Sequence, residues 1–224
     1  MSSTKQLQNY IITEGKNDVS IIKHILNRKN LQKSGYNWSC IVDVRASGGF
    51  TKTETAIKDI QEGVANNKIK IFIIVDADND KQAKEQTIND LAKKFSDIEF
   101  NHHIITRPSK DYGIMEDLFL DIVVNLTDKS ADDFYQKNTI MQLVSDVRND
   151  VDEDTEKKHY SNKIKAATTS FVRFYNCYTD VDKNDITTLM EQDDGIAKKL
   201  MEYDTIKQML EKIKQHFNLE QASN

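Results

Sequence analysis

Residues 69–80 read IKIFIIVDADND, an almost continuous apolar run that stops at a cluster of aspartates. The apolar part, residues 69–75, is the strongest strand signal in the chain. Its nearly continuous apolar character is typical of a parallel strand that is covered on both faces. The stretch therefore predicts a central strand of a parallel sheet, with acidic residues from Asp76 onward at its carboxyl end.

Shorter strand signals lie on both sides of this run, and helical signals separate them. We expect strands at residues 8–13, 40–46 and 102–106, and helices at residues 18–31, 51–65 and 81–95. Alternation of strand and helix at this spacing implies right-handed crossovers and a parallel sheet between layers of helices. The predicted fold class is therefore α/β, with a Rossmann-like sheet of about four strands.

The chain changes character after Pro108. Helical periods then follow one another, at residues 115–126, 131–149, 156–175 and 195–217. A chain of 224 residues is long enough for one sizeable α/β core with a helical addition. We expect residues 1–110 to form the core and residues 111–224 to form a helical extension packed on it.

Charge and composition limit the classes of function. The formal net charge of −5 argues against tight, non-specific binding of nucleic acid by charge alone. It does not argue against an enzyme whose site consists of carboxylates. No apolar run is long enough to cross a bilayer, the first residues lack the apolar core of a signal peptide, and the two cysteines stand far apart. We therefore expect a cytoplasmic protein that does not enter a membrane.

Polar residues cluster where three of the predicted strands end. The clusters are Glu14 to Asp18 (EGKND), Ser47 to Gly49 (SGG) and Asp76 to Asp78 (DAD). Ligands of open parallel sheets gather outside the carboxyl ends of the strands. Asp76 and Asp78 can reach one cation if the strand geometry continues, because side chains two residues apart then point the same way. Carboxylate oxygens of this kind suit Mg²⁺.

Each cluster also has a simpler interpretation. Glu14-Gly15 is typical of a plain turn in which Asn17 or Asp18 caps the next helix. The aspartate cluster can be a solvated turn, and Ser-Gly-Gly can be an ordinary loop. The order of the three clusters along the chain is more specific than any one of them.

The ordered combination resembles the Toprim domain. It consists of E-G-x-x-D after the first strand, a glycine pair after the second and D-x-D after the third, within residues 8–110. Topoisomerases, bacterial primases, recombination mediators, ribosomal-RNA maturases and the "overcoming lysogenisation defect" nucleases share this domain.

The resemblance implies that Glu14 is a catalytic or metal-binding acid, that Asp76 and Asp78 are catalytic residues that bind Mg²⁺, and that Asp18 serves the metal site. It implies Mn²⁺ as a substitute for Mg²⁺. The residues expected to bring the backbone close to substrate phosphates are Gly15, Ser47, Gly48 and Gly49.

Two further segments resemble parts of this nuclease family. Residues 112–118 (YGIMEDL) look like a Gly-x-x-Glu-Asp-Leu segment of small bacterial Toprim proteins related to it, which implies that Glu116 or Asp117 serves a second metal. The alternative is that these acids complement the dipole of the helix they begin. The nuclease branch also has a functional lysine in its C-terminal part, and Lys163 or Lys165 can occupy that place. The alternative for both lysines is a solvated surface position.

The resemblance implies a Mg²⁺-dependent endonuclease that cleaves nucleic acid, with DNA favoured over RNA. Related nucleases often act with an ABC-type ATPase in defence against phage. The chain has no G-x-x-x-x-G-K-[ST] phosphate loop, so such an ATPase would be a separate protein. The sequence leaves open whether the chain forms a homo-oligomer.

Two other functions are compatible with parts of the pattern. The first is a Toprim module that binds a partner or nucleic acid without cutting it, which the retention of four acids disfavours. The second is a small-molecule phosphatase or phosphotransferase. Asn79 and Asp80 argue against it, because they stand where the haloacid-dehalogenase type has threonine or serine.

Overall fold

The fold is described from a computed structural model. It describes residues 9–27, 42–64, 68–126, 164–166, 168 and 194–218. The predicted helix at residues 131–149, most of the one at 156–175 and the start of the strand predicted at 40–46 lie outside these ranges.

Four strands form one sheet. They are β1 (Asn9–Thr13), β2 (Asp43–Ala46), β3 (Lys70–Asp76) and β4 (Glu99–Ile105), in the order β2-β1-β3-β4. β1 pairs in parallel with both β2 and β3. Glu99 N donates to Ile69 O where β3 and β4 begin, and Ala77 N donates to Ile105 O where they end, so these two strands run in the same direction. The predicted parallel sheet, with the apolar run in its interior, is confirmed.

Helices alternate with the strands and continue after them. The described helices are α1 (Lys16–Leu26), α2 (Thr53–Gly63), α3 (Lys81–Lys94), α4 (Met115–Leu126), α5 (Asp194–Leu200) and α6 (Asp204–His216). A 3-10 turn (Phe50–Lys52) precedes α2, and residues 164–166 and 168 are also helical. None of the helices within the described ranges combines the length and the apolar character needed to span a membrane.

Several element boundaries differ from the sequence prediction, including both ends of α1 and α2, and two of the differences have a visible cause. β4 begins at Glu99 rather than at residue 102, because the Glu99 N–H already donates to the Ile69 carbonyl beside it. The helix predicted at 195–217 is divided into α5 and α6. The N–H groups of Glu202 and Tyr203 donate to carbonyls three residues back, which ends α5 in a tighter turn, and Asp204 then begins α6.

The chain forms two compact units that are not continuous in sequence. The first consists of Met1–Val75, Gln82–Ile104 and Ile206–Asn224, and the second of Asp76–Lys81 and Ile105–Thr205. The sequence analysis, in contrast, predicted two segments that are each continuous in sequence, with a boundary at residue 110. α6 belongs to the sheet unit because the rings of His216 and Phe217 lie against Phe72 of β3, at centroid distances of 5.9 and 6.5 Å.

Candidate functional site

The strand order reverses between β1 and β3. From β1 the chain passes through α1 to β2 at one edge, and from β3 it passes through α3 to β4 at the other. Such a switch point is where ligands of open parallel sheets bind. Thr13, the last residue of β1, is in register with Ile74 of β3. Glu14 directly follows β1, and Asp76 is the last residue of β3.

The glycine pair after β2 fixes the backbone at Glu14. The N–H groups of Gly48 and Gly49 donate to the Glu14 carbonyl at 3.0 and 2.8 Å, and the Ser47 N–H donates to the Thr13 carbonyl. Gly48 and Gly49 have φ angles of 82° and 115°, which favour glycine. These N–H groups already have acceptors within the protein. Any approach of this loop to a phosphate would therefore not use them as donors.

The Glu14 side chain pairs with a lysine that the sequence reasoning missed. Its Oε1 lies 2.9 Å from Nζ of Lys84 in α3, and the two side chains are only 22% and 13% exposed. The same Nζ lies 4.3 Å from the centre of the Phe50 ring. A cation in the first turn of a helix opposes the helix dipole, and α3 has no acid there to balance it. The position does not single out Lys84 in the sequence, because Lys81 lies in the same turn.

Asp18 caps α1. Its Oδ2 accepts the Gly15 N–H at 2.8 Å, which satisfies a backbone donor at the start of the helix. The capping alternative predicted from the sequence is therefore confirmed for Asp18. The predicted role of Asp18 in the metal site stays a prediction.

Asp76 belongs to the second unit and faces the start of α4. Its side chain is buried, with 8% of the residue exposed, and Oδ1 accepts the N–H of Met115 at 2.9 Å. Met115 is the first residue of α4. The positive end of the helix dipole therefore stabilises the charge of Asp76.

Asp78 lies where the chain leaves the sheet. Its φ angle is 52°, a left-handed conformation that aspartate adopts more readily than most residues. It forms an isolated antiparallel bridge with Gly113, in which the two backbones exchange hydrogen bonds of 3.0 and 2.9 Å. The strand geometry ends before Asp78, so strand alternation does not align its side chain with that of Asp76.

The segment before α4 holds the Asp78 loop. Gly113 has a φ angle of 138°, and a Cβ atom there would collide with the backbone nitrogen of Arg107. The Arg107 N–H also donates to the Tyr112 carbonyl at 3.0 Å. Glycine is therefore required at the point where this turn reaches Asp78. The sequence reasoning noticed the segment but not this role.

Asp117 and Glu116 occupy the first turn of α4. Asp117 is fully buried, and its Oδ2 accepts the N–H of Ile114 at 3.0 Å, just as Asp18 caps α1. Glu116 is half-buried. The helix-terminus alternative accounts for Asp117, and a second metal at either acid stays a prediction.

A family model described as "Protein of unknown function (DUF3226)" matches residues 8–203. This chain belongs to the DUF3226 family. The matched range includes every acid and lysine considered above. The comparisons with curated proteins and with solved structures found no match. The DUF3226 description assigns no activity, so function has to come from the chemistry of the residues.

The remaining predicted site residues of this DUF3226 chain are its C-terminal lysines. Lys163 lies outside the described residues, and Lys165 is exposed in the helical residues 164–166. A catalytic lysine in this part of the chain stays a prediction.

The acids of the DUF3226 chain are divided between the two units. Glu14 and Asp18 belong to the first, whereas Asp76, Asp78, Glu116 and Asp117 belong to the second. Across the ranges that the structure describes, no three histidine, cysteine, aspartate or glutamate residues form a group that could hold a metal ion. Mg²⁺ does not require such a group, because it keeps several waters and typically uses one or two protein carboxylates. The donor chemistry of Asp76 and Asp78 fits Mg²⁺ on that basis.

Proposed function

We propose that this DUF3226 protein is a Mg²⁺-dependent nuclease that cleaves phosphodiester bonds of nucleic acid. In this proposal Asp76 and Asp78 hold the ion, and Glu14 takes part in proton transfer or in binding the ion. The observation that carries it is the topology: Glu14 directly follows β1 and Asp76 ends β3, and these strands lie on either side of the switch point. The order of motifs that resembles the Toprim domain adds support.

The environment of Asp76 suits a metal-binding carboxylate. Metal-binding carboxylates are usually held by hydrogen bonds from surrounding groups, and the Met115 N–H supplies one to Oδ1. This bond fixes the orientation of the Asp76 carboxylate. When bound, Mg²⁺ neutralises charge on the scissile phosphate and lowers the pKa of a coordinated water.

Glu14 is suited to hold or move a proton. Its backbone is fixed by two N–H groups of the glycine pair, while its half-buried carboxylate ends in a charge-assisted contact with Lys84. In this role the Glu14 carboxylate would leave the Lys84 ammonium, accept a proton from an attacking water and later deliver it to the leaving oxygen.

The substrate and partner proposed here rest on the resemblance to the "overcoming lysogenisation defect" nucleases. That resemblance favours DNA over RNA and a separate ATPase of the ABC type as partner in phage defence. The net charge of −5 means that general attraction to the phosphate backbone contributes little. Recognition would then depend on local contacts and on the bound ion.

The test is cleavage of supercoiled, linear and single-stranded DNA and of RNA, with Mg²⁺ or Mn²⁺. Asp76→Asn and Asp78→Asn are the informative variants, because asparagine removes the charge but keeps an oxygen that can accept the Met115 N–H. We expect each to reduce cleavage by at least about a hundredfold. Asp59→Asn, on the exposed face of α2, is the matched control and should cleave as the wild type does. Undiminished cleavage by the Asp76→Asn, Asp78→Asn double variant would refute the proposal.

A second candidate is a non-catalytic Toprim-like module. The observation that favours it is that several of the acids already have structural partners: Glu14 pairs with Lys84, and Asp18 and Asp117 cap helices. This candidate predicts no cleavage under any condition and no change in melting temperature on adding Mg²⁺ or Mn²⁺, because an ion that does not bind cannot stabilise the fold.

A further inference from the structure

The Glu14–Lys84 pair is better shielded from water than a second ion pair on the same helix. Lys94, near the end of α3, lies 2.8 Å from Glu54 of α2, yet its side chain is 53% exposed, compared with 13% for Lys84. Exposed pairs are screened by water and contribute little. A pair withdrawn from water interacts more strongly and holds its charges in a defined geometry.

The position of Lys84 is unfavourable for the helix itself. A positive charge in the first turn of α3 faces the positive end of the helix dipole, and that turn has no acid. The ammonium is therefore stabilised by contacts outside the helix. Those contacts include the Glu14 carboxylate at 2.9 Å and the Phe50 ring at 4.3 Å.

The contacts of Lys84 with Glu14 and with Phe50 are chemically independent of each other. A cation over an aromatic ring is attracted by the electrons of its face. If the Glu14 carboxylate turned away, the ammonium would keep the contact with Phe50. Lys84 can thus lose Glu14 without losing all stabilisation of its charge.

Glu14 can change partner without a change in the backbone. Its carbonyl is held by Gly48 and Gly49, so the main chain at the end of β1 is fixed. Only the side-chain torsions have to rotate to move the carboxylate from the ammonium to another cation.

We propose that Lys84 is a tethered cation that occupies the Glu14 carboxylate and competes with a divalent metal ion for it. This inference rests on the proposed function, in which Glu14 serves the metal site. Lys84 acts through Glu14 and is a positioning residue rather than a catalytic one. It lowers the affinity of the protein for the ion as long as the ammonium holds the carboxylate.

The experiment is titration of the full-length protein with Mn²⁺, followed by the electron paramagnetic resonance signal of the free ion. Lys84→Met removes the charge but keeps most of the side-chain volume, and we expect it to tighten Mn²⁺ binding by about tenfold, equivalent to about 1.4 kcal/mol. Lys84→Gln should act in the same direction, which guards against a packing effect of one substitution. Lys94→Met removes a charge from the same helix and should leave the affinity unchanged.

A double-mutant cycle with Glu14→Gln separates competition from a general change in charge. Lys84→Met should not tighten Mn²⁺ binding when it is combined with Glu14→Gln. The inference is overturned if both Lys84 variants bind Mn²⁺ no more tightly than the wild type, if the tightening persists in the Glu14→Gln background, or if no protein in the series binds Mn²⁺. Tighter binding by Lys84→Met without any nucleic-acid cleavage by the wild type would support the inference and refute the nuclease. If cleavage depends on Asp76 but the Lys84 variants bind Mn²⁺ as the wild type does, the nuclease is supported and the inference about Lys84 is refuted.

Discussion

Gly113 holds the loop that carries Asp78. Its φ angle of 138° is one that residues with a side chain rarely adopt, and a Cβ atom there would meet the backbone of Arg107. We expect Gly113→Ala to lower the free energy of unfolding by roughly 2 to 4 kcal/mol, because strain and collision add. Urea denaturation measures the change.

Gly63 is the matched control for this prediction. It is the last residue of α2, and nothing lies within 4 Å of a Cβ atom added there. Gly63→Ala should be neutral or stabilise the protein by about 0.5 kcal/mol. Equal stabilities of the two alanine variants would show that Gly113 is not needed for the turn.

Single residues also show what the sequence could and could not predict. The ends of β1 and β3 at Glu14 and Asp76 are predictable, because an apolar run stops at a charged residue. The partner of Glu14 is not predictable, because the contact joins residues 70 positions apart and depends on how α3 lies against the sheet. Asp76 and Asp78 were predicted to point the same way only if the strand geometry continued, and the bridge of Asp78 to Gly113 imposes a turn that no local pattern specifies.

At the scale of elements, prediction succeeded where one local signal dominates. The bounds of α4 are those predicted, since acids begin the helix and an apolar face continues it. β4 was predicted too short because two of its first three residues, Glu99 and Asn101, are polar, and pairing with β3 still includes them in the strand. The division between α5 and α6 was missed because both helices have compatible apolar periods.

The end of α6 gives a prediction about pH. The His216 side chain is 3% exposed, Phe72 and Phe217 lie beside its ring, and its Nε2 has no hydrogen-bond partner among the described residues. Burial lowers the pKa of His216 below its ordinary value of 6.5; Glu99, 3.8 Å from Nδ1, raises it, and Lys70 lowers it. The unfolded chain therefore binds a proton more readily than the folded one. The stability that the neutral ring contributes is present above about pH 6.5 and is lost as the pH falls below it.

His216→Phe tests this contribution. Phenylalanine keeps an aromatic ring beside Phe72 but cannot be protonated. We expect the free energy of unfolding of the variant to fall less steeply than that of the wild type between about pH 7 and pH 5. Parallel pH profiles from urea denaturation would contradict the role assigned to His216.

At the scale of the whole chain, α6 is an integral part of the sheet unit although it lies last in sequence. Its apolar face is buried, through Ile206, Met209, Leu210 and Ile213, and Phe217 directly after the helix is buried as well. Deleting residues 204–224 should therefore unfold the sheet unit, seen as loss of hydrogen-exchange protection in β1 and β3. Gln208→Ala, on the exposed side of α6, should leave that protection intact. A fully protected β3 in the truncated chain would instead favour the continuous division at residue 110.

The most direct test of the central claim is the binding of Mn²⁺ to the wild type and to the Asp76→Asn, Asp78→Asn double variant. If these carboxylates hold the ion, the wild type binds Mn²⁺ and the double variant, still folded, binds it at least about a hundredfold more weakly. Asp59→Asn controls for the loss of charge. Binding of equal affinity by the wild type and the folded double variant would contradict the account.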